Sequence, residues 1–255
     1  GGLWAGFWHQ HLVAGWDPAR AVVLMLFSAA LVAAIFIDLE HYIIPDPINA
    51  AMLFFGLGYN AWQIAQGDPR AFTWGIPSSV AGALVGVAAL WGIAFLGRLL
   101  FQKDAMGHGD IKMARGIGAV LLPTGALMSF ALAVVFGAVF GILQILVRSR
   151  RSVGHTGDDE GEEQELAPES LGSLLKCGVG YVLCLDVVGL FVPKFYESFF
   201  GENPYAYEEI DDDWEVGETM IPFGPYLALG ALAVALFQSP LEAAVRAYWK
   251  YATGA

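Results

Sequence analysis

The stretch Met106-Gly107-His108-Gly109-Asp110-Ile111-Lys112 decides how this chain is read. Two glycines and a carboxylate make a turn that runs straight into an apolar segment. Membrane-type sequence lies on both sides of it. An aspartate at the lip of a hydrophobic segment is costly to place, which makes it a functional-site candidate. A second one, Asp38, ends an earlier apolar helix in Phe36-Ile37-Asp38-Leu39-Glu40-His41.

Composition sets the class. The 255 residues are 56% hydrophobic and 15% charged, with a positive mean hydropathy, as expected of an integral membrane protein. Cys177 and Cys184 form no C-x-x-C pair, so the sequence offers no zinc site and no disulfide framework. The net charge of −12 is uneven: residues 151–219 hold 17 of the 25 acids but only 3 of the 13 bases. The acidity belongs to one insert, the membrane part is nearly neutral, and nothing points to nucleic acid.

Working outward from the glycine turn, apolar runs separated by proline and charge mark about seven membrane segments, in an all-α polytopic bundle. The chain opens inside an apolar segment, with no initiator Met and no basic n-region, and reads as one whose beginning is missing. Residues 1–15 look like the tail of a helix. Trp4, Phe7 and Trp8 suit an interfacial belt or a partner helix, and His9 and His11, on different helix faces, read as interface polar residues. Asp17-Pro18 is a turn before a span at 19–42, stopped at Pro45-Asp46-Pro47. Spans at 48–65 and 76–101 follow, the second rich in Gly and Ala and suited to close packing. Beyond Asp110 a helix runs to Leu122, breaks at Pro123-Thr124-Gly125 and continues to Val147.

Three regions result. Residues 1–150 carry the membrane helices and both aspartates. Residues 151–219 are the acidic insert, with an apolar segment at 171–200 between polar stretches, of which 154–169 reads as a flexible loop. Residues 220–255 hold a last span from Ile221 to about Phe237 and an amphipathic tail at 240–252. Basic residues at Arg98/Lys103, Lys112/Arg115 and Arg148/Arg150/Arg151 mark cytoplasmic ends. Residues 110–147 must then run out and back, which the Pro-Thr-Gly break permits. Counting spans backwards brings the Asp38 end to the same side as Asp110.

Three features in order now resemble one family: Asp38-x6-Pro45-Asp46, Gly107-His108-Gly109-Asp110-Ile111-Lys112, and Ile221-Pro222-Phe223-Gly224-Pro225-Tyr226-Leu227. The G-x-G-D motif alone is weak, but the ordered set, spaced by membrane spans, resembles the type IV prepilin peptidases, bacterial membrane aspartyl proteases. The likeness covers residues 19–150 and 220–237, and nothing in it accounts for 151–219. It implies cleavage of the short basic leader of prepilins and of pilin-like type II secretion subunits, just after a glycine, at the cytoplasmic face of the inner membrane. Asp38 and Asp110 match the catalytic aspartates, Gly107 and Gly109 the motif glycines, and Lys112 the usual basic position.

The chain departs from that family twice. Full-length members usually begin with one more helix and a cysteine-rich region whose two C-x-x-C pairs bind zinc, and they N-methylate the new terminus with S-adenosylmethionine. With those pairs absent here, the peptidase needs no cofactor, and zinc and S-adenosylmethionine belong only to a full-length form. The resemblance also implies a short cytoplasmic connection where this chain has 151–219. The segment 171–200 is then expected as an interfacial helix or a re-entrant hairpin, with a true span as the alternative.

The expected chemistry needs two carboxylates and water. Two acids sharing a site cannot both ionise cheaply, so the pair holds one proton between them. The ionised member takes a proton from water while the protonated one polarises the scissile carbonyl. The glycines let the backbone approach an extended substrate. Lys112 is read as tuning the dyad, binding lipid phosphate, or anchoring at the interface. Asp46 is read first as a helix N-cap and second as a supporting residue, and His108 as a spacer with a supporting role as the alternative. Asp186 is matched with Lys176, Lys194 or water, and Glu40 with a solvated helix end. Asp104 carries no signal. Acidic stretches at 158–165 and 208–218 would steer a basic leader.

Two rivals remain. Presenilin-type intramembrane proteases also use G-x-G-D but place a tyrosine before the first aspartate, where this chain has Ile37. An ion-coupled transporter would put its aspartates near mid-span within an inverted repeat, whereas Asp38 and Asp110 fall at span ends.

Overall fold

A computed structural model describes residues 1–15, 17–102, 106–151, 170–201 and 222–253. The acidic stretches 158–165 and 208–218, the loop 154–169, Asp104 and Lys103 lie outside the described residues. The described part is helical, apart from a two-stranded hairpin.

Helix α1 (Gly2–Trp8) continues through a π-turn at His9–Val13. Phe7 is buried, Gln10 donates to the Leu236 carbonyl at 2.6 Å, and Trp4 donates to Ser28 Oγ at 3.2 Å, so this segment serves as a partner helix. Helix α2 (Pro18–His41) starts where Asp17 accepts from the Arg20 amide at 2.9 Å and proline takes the first helical position. Helix α2 ends at His41 with Tyr42 in the left-handed region, and helix α3 (Asp46–Ala65) starts after Pro45 with Pro47 in its first turn, where no amide partner is needed. Strands β1 (Phe72–Thr73) and β2 (Ile76–Pro77) pair antiparallel around Trp74-Gly75, both at positive φ, as a tight hairpin requires. Ahead of this hairpin, the Arg70 guanidinium holds the Asp68 carboxyl below the usual carboxylate range.

Helices α4 (Ser78–Phe101) and α5 (His108–Arg151) form the most extensive contact among the described helices. Gly82 and Gly118 meet backbone to backbone, and a Cβ on either would overlap the other's carbonyl oxygen. Small residues let two helices approach this closely, so that dispersion acts along their full backbones. Gly82→Ala is therefore expected to destabilise the protein by about 1–3 kcal/mol, an overpacking cost, read as a lower Tm in detergent.

Leu122, at φ 64° and ψ 173°, breaks α5 one residue before Pro123. The break frees carbonyl groups from their helical partners, and Arg20 Nη1 donates to that of Val120 at 2.9 Å. The two legs run in opposite directions. On the first, Asp110 lies at one end and Val120 meets Arg20 at the other. On the second, Gly125 faces Val234, Gly230 faces Ser129 and Gly137 faces Tyr226 of helix α9 (Gly224–Thr253). The out-and-back course expected of 110–147 is the course observed. Helix α9 bends at Phe237, three residues before Pro240, separating an apolar leg from the tail.

Three helices are long and apolar enough to cross a membrane: Pro18–His41, Ser78–Phe101 and His108–Leu143. A fourth arises if the bent pair of α6 (Leu171–Val182) and α7 (Leu185–Phe191) counts as one. The expected seven are not reached on this criterion. Helix α3 buries Asp46, Asn49, Asn60 and Gln63, the apolar leg of α9 is short at Gly224–Gln238, and the two legs of α5 count once. A straight 36-residue helix would be about 54 Å long, far beyond one hydrocarbon core, so the break at Leu122 makes two passes the better description.

The segment 171–200 is not a simple span. Helix α6 meets α7 at 77° across Cys184, and α8 (Pro193–Phe200) turns back after Val192. Tyr181 reaches His108, Val187 packs deeper beside Ala83 and Ala119, and Tyr196 returns to Lys112. The segment therefore enters and leaves the bundle at the Asp110 end, as a re-entrant hairpin does.

Candidate active site

Asp38 lies in the last turn of α2 and Asp110 in the first turn of α5. The structure brings them to the same end of the bundle, close enough for their charges to repel. Each carboxylate is oriented by a backbone amide: Gly224 donates to Asp38 and Gly107 to Asp110. Gly224 opens α9, where helical amides lack partners and favour an anion. A Cβ there would overlap Asp38 Oδ2.

Ile44 joins the three motifs. Its side chain lies 3.3 Å from where a Cβ on Gly109 would stand, and it also crowds the space beside Gly224. Asp38, the Gly107–Asp110 turn and the start of α9 thus converge on one apolar side chain from the loop between α2 and α3.

Lys112 turns inward, to a buried carboxylate and a tyrosine. It is buried, and its Nζ donates to both oxygens of Asp46 at 2.8 Å and to Tyr196 Oη at 2.6 Å. Asp46 is correspondingly no N-cap: it is the first residue of α3, no side chain caps that helix, and its carboxylate also accepts from Tyr196 at 2.7 Å. Arg115, counted in the sequence with the cytoplasmic bases, is 1% exposed and forms two bonds to Asp186, at 2.7 and 2.5 Å. Asp186 therefore pairs with Arg115, not with Lys176, Lys194 or water. A cation near a span end reads the same whether it reaches outward or inward, and here a buried carboxylate waits for each. His108 begins α5 with its Nδ1 2.7 Å from Tyr181 Oη. Glu40 is exposed, as a solvated helix end should be.

Sequence reasoning missed Ile44, Tyr181 and Tyr196, and gave Gly224 no role although it sits in the quoted Ile221–Leu227 motif. For Asp186 a signal existed, since an aspartate inside an apolar run needs a cation. The tyrosines carried none.

Among the described residues no group of three or more His, Cys, Asp or Glu could hold a metal. Cys177 is buried in the apolar core and Cys184 opens α7. Neither belongs to a C-x-x-C pair.

The model of the type IV leader peptidase family matches residues 25–142. That span contains both aspartates, the glycine turn and Lys112. Residues 25–142 belong to the type IV leader peptidase family. The prepilin leader peptidase/N-methyltransferase of Aeromonas salmonicida is 33% identical over 140 residues, 54% of this chain and 44% of the relative. That of Stutzerimonas stutzeri is 30% identical over 155 residues, 59% of this chain and 48% of its own. The Myxococcus xanthus protein of the same name is 29% identical over 231 residues, 87% of this chain and 63% of its own. The chain thus spans about half the length of most of these relatives. No solved structure matches it. The family match and the apolar helices together point to a multi-pass membrane protein.

Proposed function

We propose that this chain is a membrane aspartyl endopeptidase that removes the basic leader from prepilins and pilin-like type II secretion subunits. One observation carries the reading. Of the buried or half-buried acids at this end of the bundle, Asp46 has Lys112 and Asp186 has Arg115, while Asp38 and Asp110 have no cationic partner among the described residues. Two close carboxylates with no cation between them hold a single proton. The ionised one activates water and the protonated one polarises the scissile carbonyl, giving hydrolysis with no covalent intermediate. The glycine turn leaves room for an extended substrate backbone beside Asp110.

The site is placed at the cytoplasmic face of a bacterial inner membrane. The passes of α1, α2, α3, α4, the two legs of α5 and the apolar leg of α9 supply about seven membrane segments, with the hairpin as a re-entrant segment beside them. Methyl transfer with S-adenosylmethionine is assigned only to a longer form bearing the cysteine-rich region.

The test is cleavage of a prepilin-like peptide by the purified chain in detergent, with Asp38→Asn and Asp110→Asn assayed singly. Full activity in either variant sinks the dyad. Gly224→Ala gives a second check. Its methyl group displaces the Asp38 carboxylate, so kcat is expected to fall about 100-fold, as for a misplacement of 1 Å.

A further inference from the structure

The hairpin at 171–200 answers the polar side chains on the first two turns of α5. Tyr181 takes His108, Tyr196 takes Lys112, and Asp186 takes Arg115. The Tyr181 carbonyl also accepts from Arg115 Nη1 at 2.8 Å. Lys112 Nζ lies 5.6 Å from the Tyr181 ring centroid and 5.3 Å from that of Tyr196, within cation–π range of both. Phe200 stacks on Tyr181 at 5.6 Å and packs against Tyr196 at 4.7 Å, joining the two tyrosines in one aromatic group.

Helix geometry gives these contacts a consequence for Asp110. At 3.6 residues per turn, Lys112 points about 200° around the axis from Asp110. A side chain fixed on one side of a helix fixes the azimuth of what stands on the other. Lys112 is fixed by a closed triangle: it donates to Asp46 and to Tyr196, and Tyr196 donates to Asp46. The triangle ties α5 to α3 and α8 together, where an ion pair alone would tie it to α3.

We propose that the α6–α8 hairpin is the positioning element of the aspartyl site, and that Tyr196 acts through Lys112 to hold Asp110 toward Asp38. Its catalytic consequence rests on the peptidase reading; the positional one does not. Tyr196 touches neither aspartate of the dyad in this arrangement and is a positioning residue.

Tyr196→Phe isolates the hydroxyl, because the ring keeps its volume and its packing on Phe200. In the full chain reconstituted in nanodiscs, kcat for a prepilin-like peptide is expected to fall about tenfold with KM unchanged, the pattern of a misoriented catalytic group. In a Lys112→Met background the same change should add nothing further, since residues acting as one unit are non-additive. Amide hydrogen exchange supplies a readout independent of activity: exchange across 107–114 should quicken several-fold while the other helices and the Tm stay unchanged. Wild-type kcat and exchange in Tyr196→Phe would overturn the proposal. So would a lowered Tm with faster exchange throughout, which would make Tyr196 a fold contact only. If the wild type cleaves no leader yet exchange quickens only at 107–114, the peptidase reading fails and the positioning role stands.

Discussion

Asp110→Asn is expected to retain about a thousandth of wild-type cleavage, and Asp38→Asn the same, because positioned acid–base groups contribute about 10²–10⁴-fold each. Asparagine keeps the shape of the side chain and loses its ability to exchange a proton. Either substitution strands the other half of the mechanism: one leaves no base for water, the other no acid for the carbonyl. The double variant should therefore be scarcely slower than the worse single one, since the two act as a unit. The measurement is single-turnover cleavage of a prepilin-like peptide, with far-UV circular dichroism to show that the helices persist. Independent, multiplicative losses would mean that the two carboxylates do not share one step.

The largest effect on stability is expected at Arg115 and Asp186. Asp186→Ala leaves a guanidinium buried without its carboxylate, and Arg115 Nε already lacks a partner among the described residues. Breaking a buried pair from one side costs about 3–5 kcal/mol, which for a protein of this size lowers Tm by about 10 °C. Replacing both at once, with Arg115→Met and Asp186→Leu, should recover most of that loss, since two apolar side chains of similar volume leave no charge stranded. Thermal unfolding of the three variants in one detergent checks the sign. Asp186→Ala at wild-type Tm would show that the pair contributes nothing.

Much of this architecture was legible in the residues. Prolines at 45, 123 and 240 mark where helices begin or bend, because a ring without an N–H breaks a ladder beyond its first turn. The glycines that join α4 to α5 were legible as a packing face. Asp38 and Asp110 could be brought to one side by counting passes. The neutralisation of charge was not legible. Lys112 and Asp46 lie 66 positions apart and Arg115 and Asp186 lie 71 apart, and no local pattern announces a contact across such distances. Lys112 and Arg115 were weighed with the interface anchors because both kinds of cation sit near span ends. Only the fold of 171–200 tells them apart. Tyr196 was invisible for a related reason: a tyrosine in an apolar run is usual, and only its neighbours make its hydroxyl matter.

The shared contact at Ile44 bears on the order of synthesis. The ribosome makes Asp38, Ile44 and the Gly107–Asp110 turn before Gly224, which orients Asp38 and closes the wall beside Ile44 from more than a hundred residues further on. A nascent chain halted before residue 224 carries both acids and no assembled centre. On the peptidase reading, the centre is complete only once the helix that Gly224 opens has been inserted beside α2.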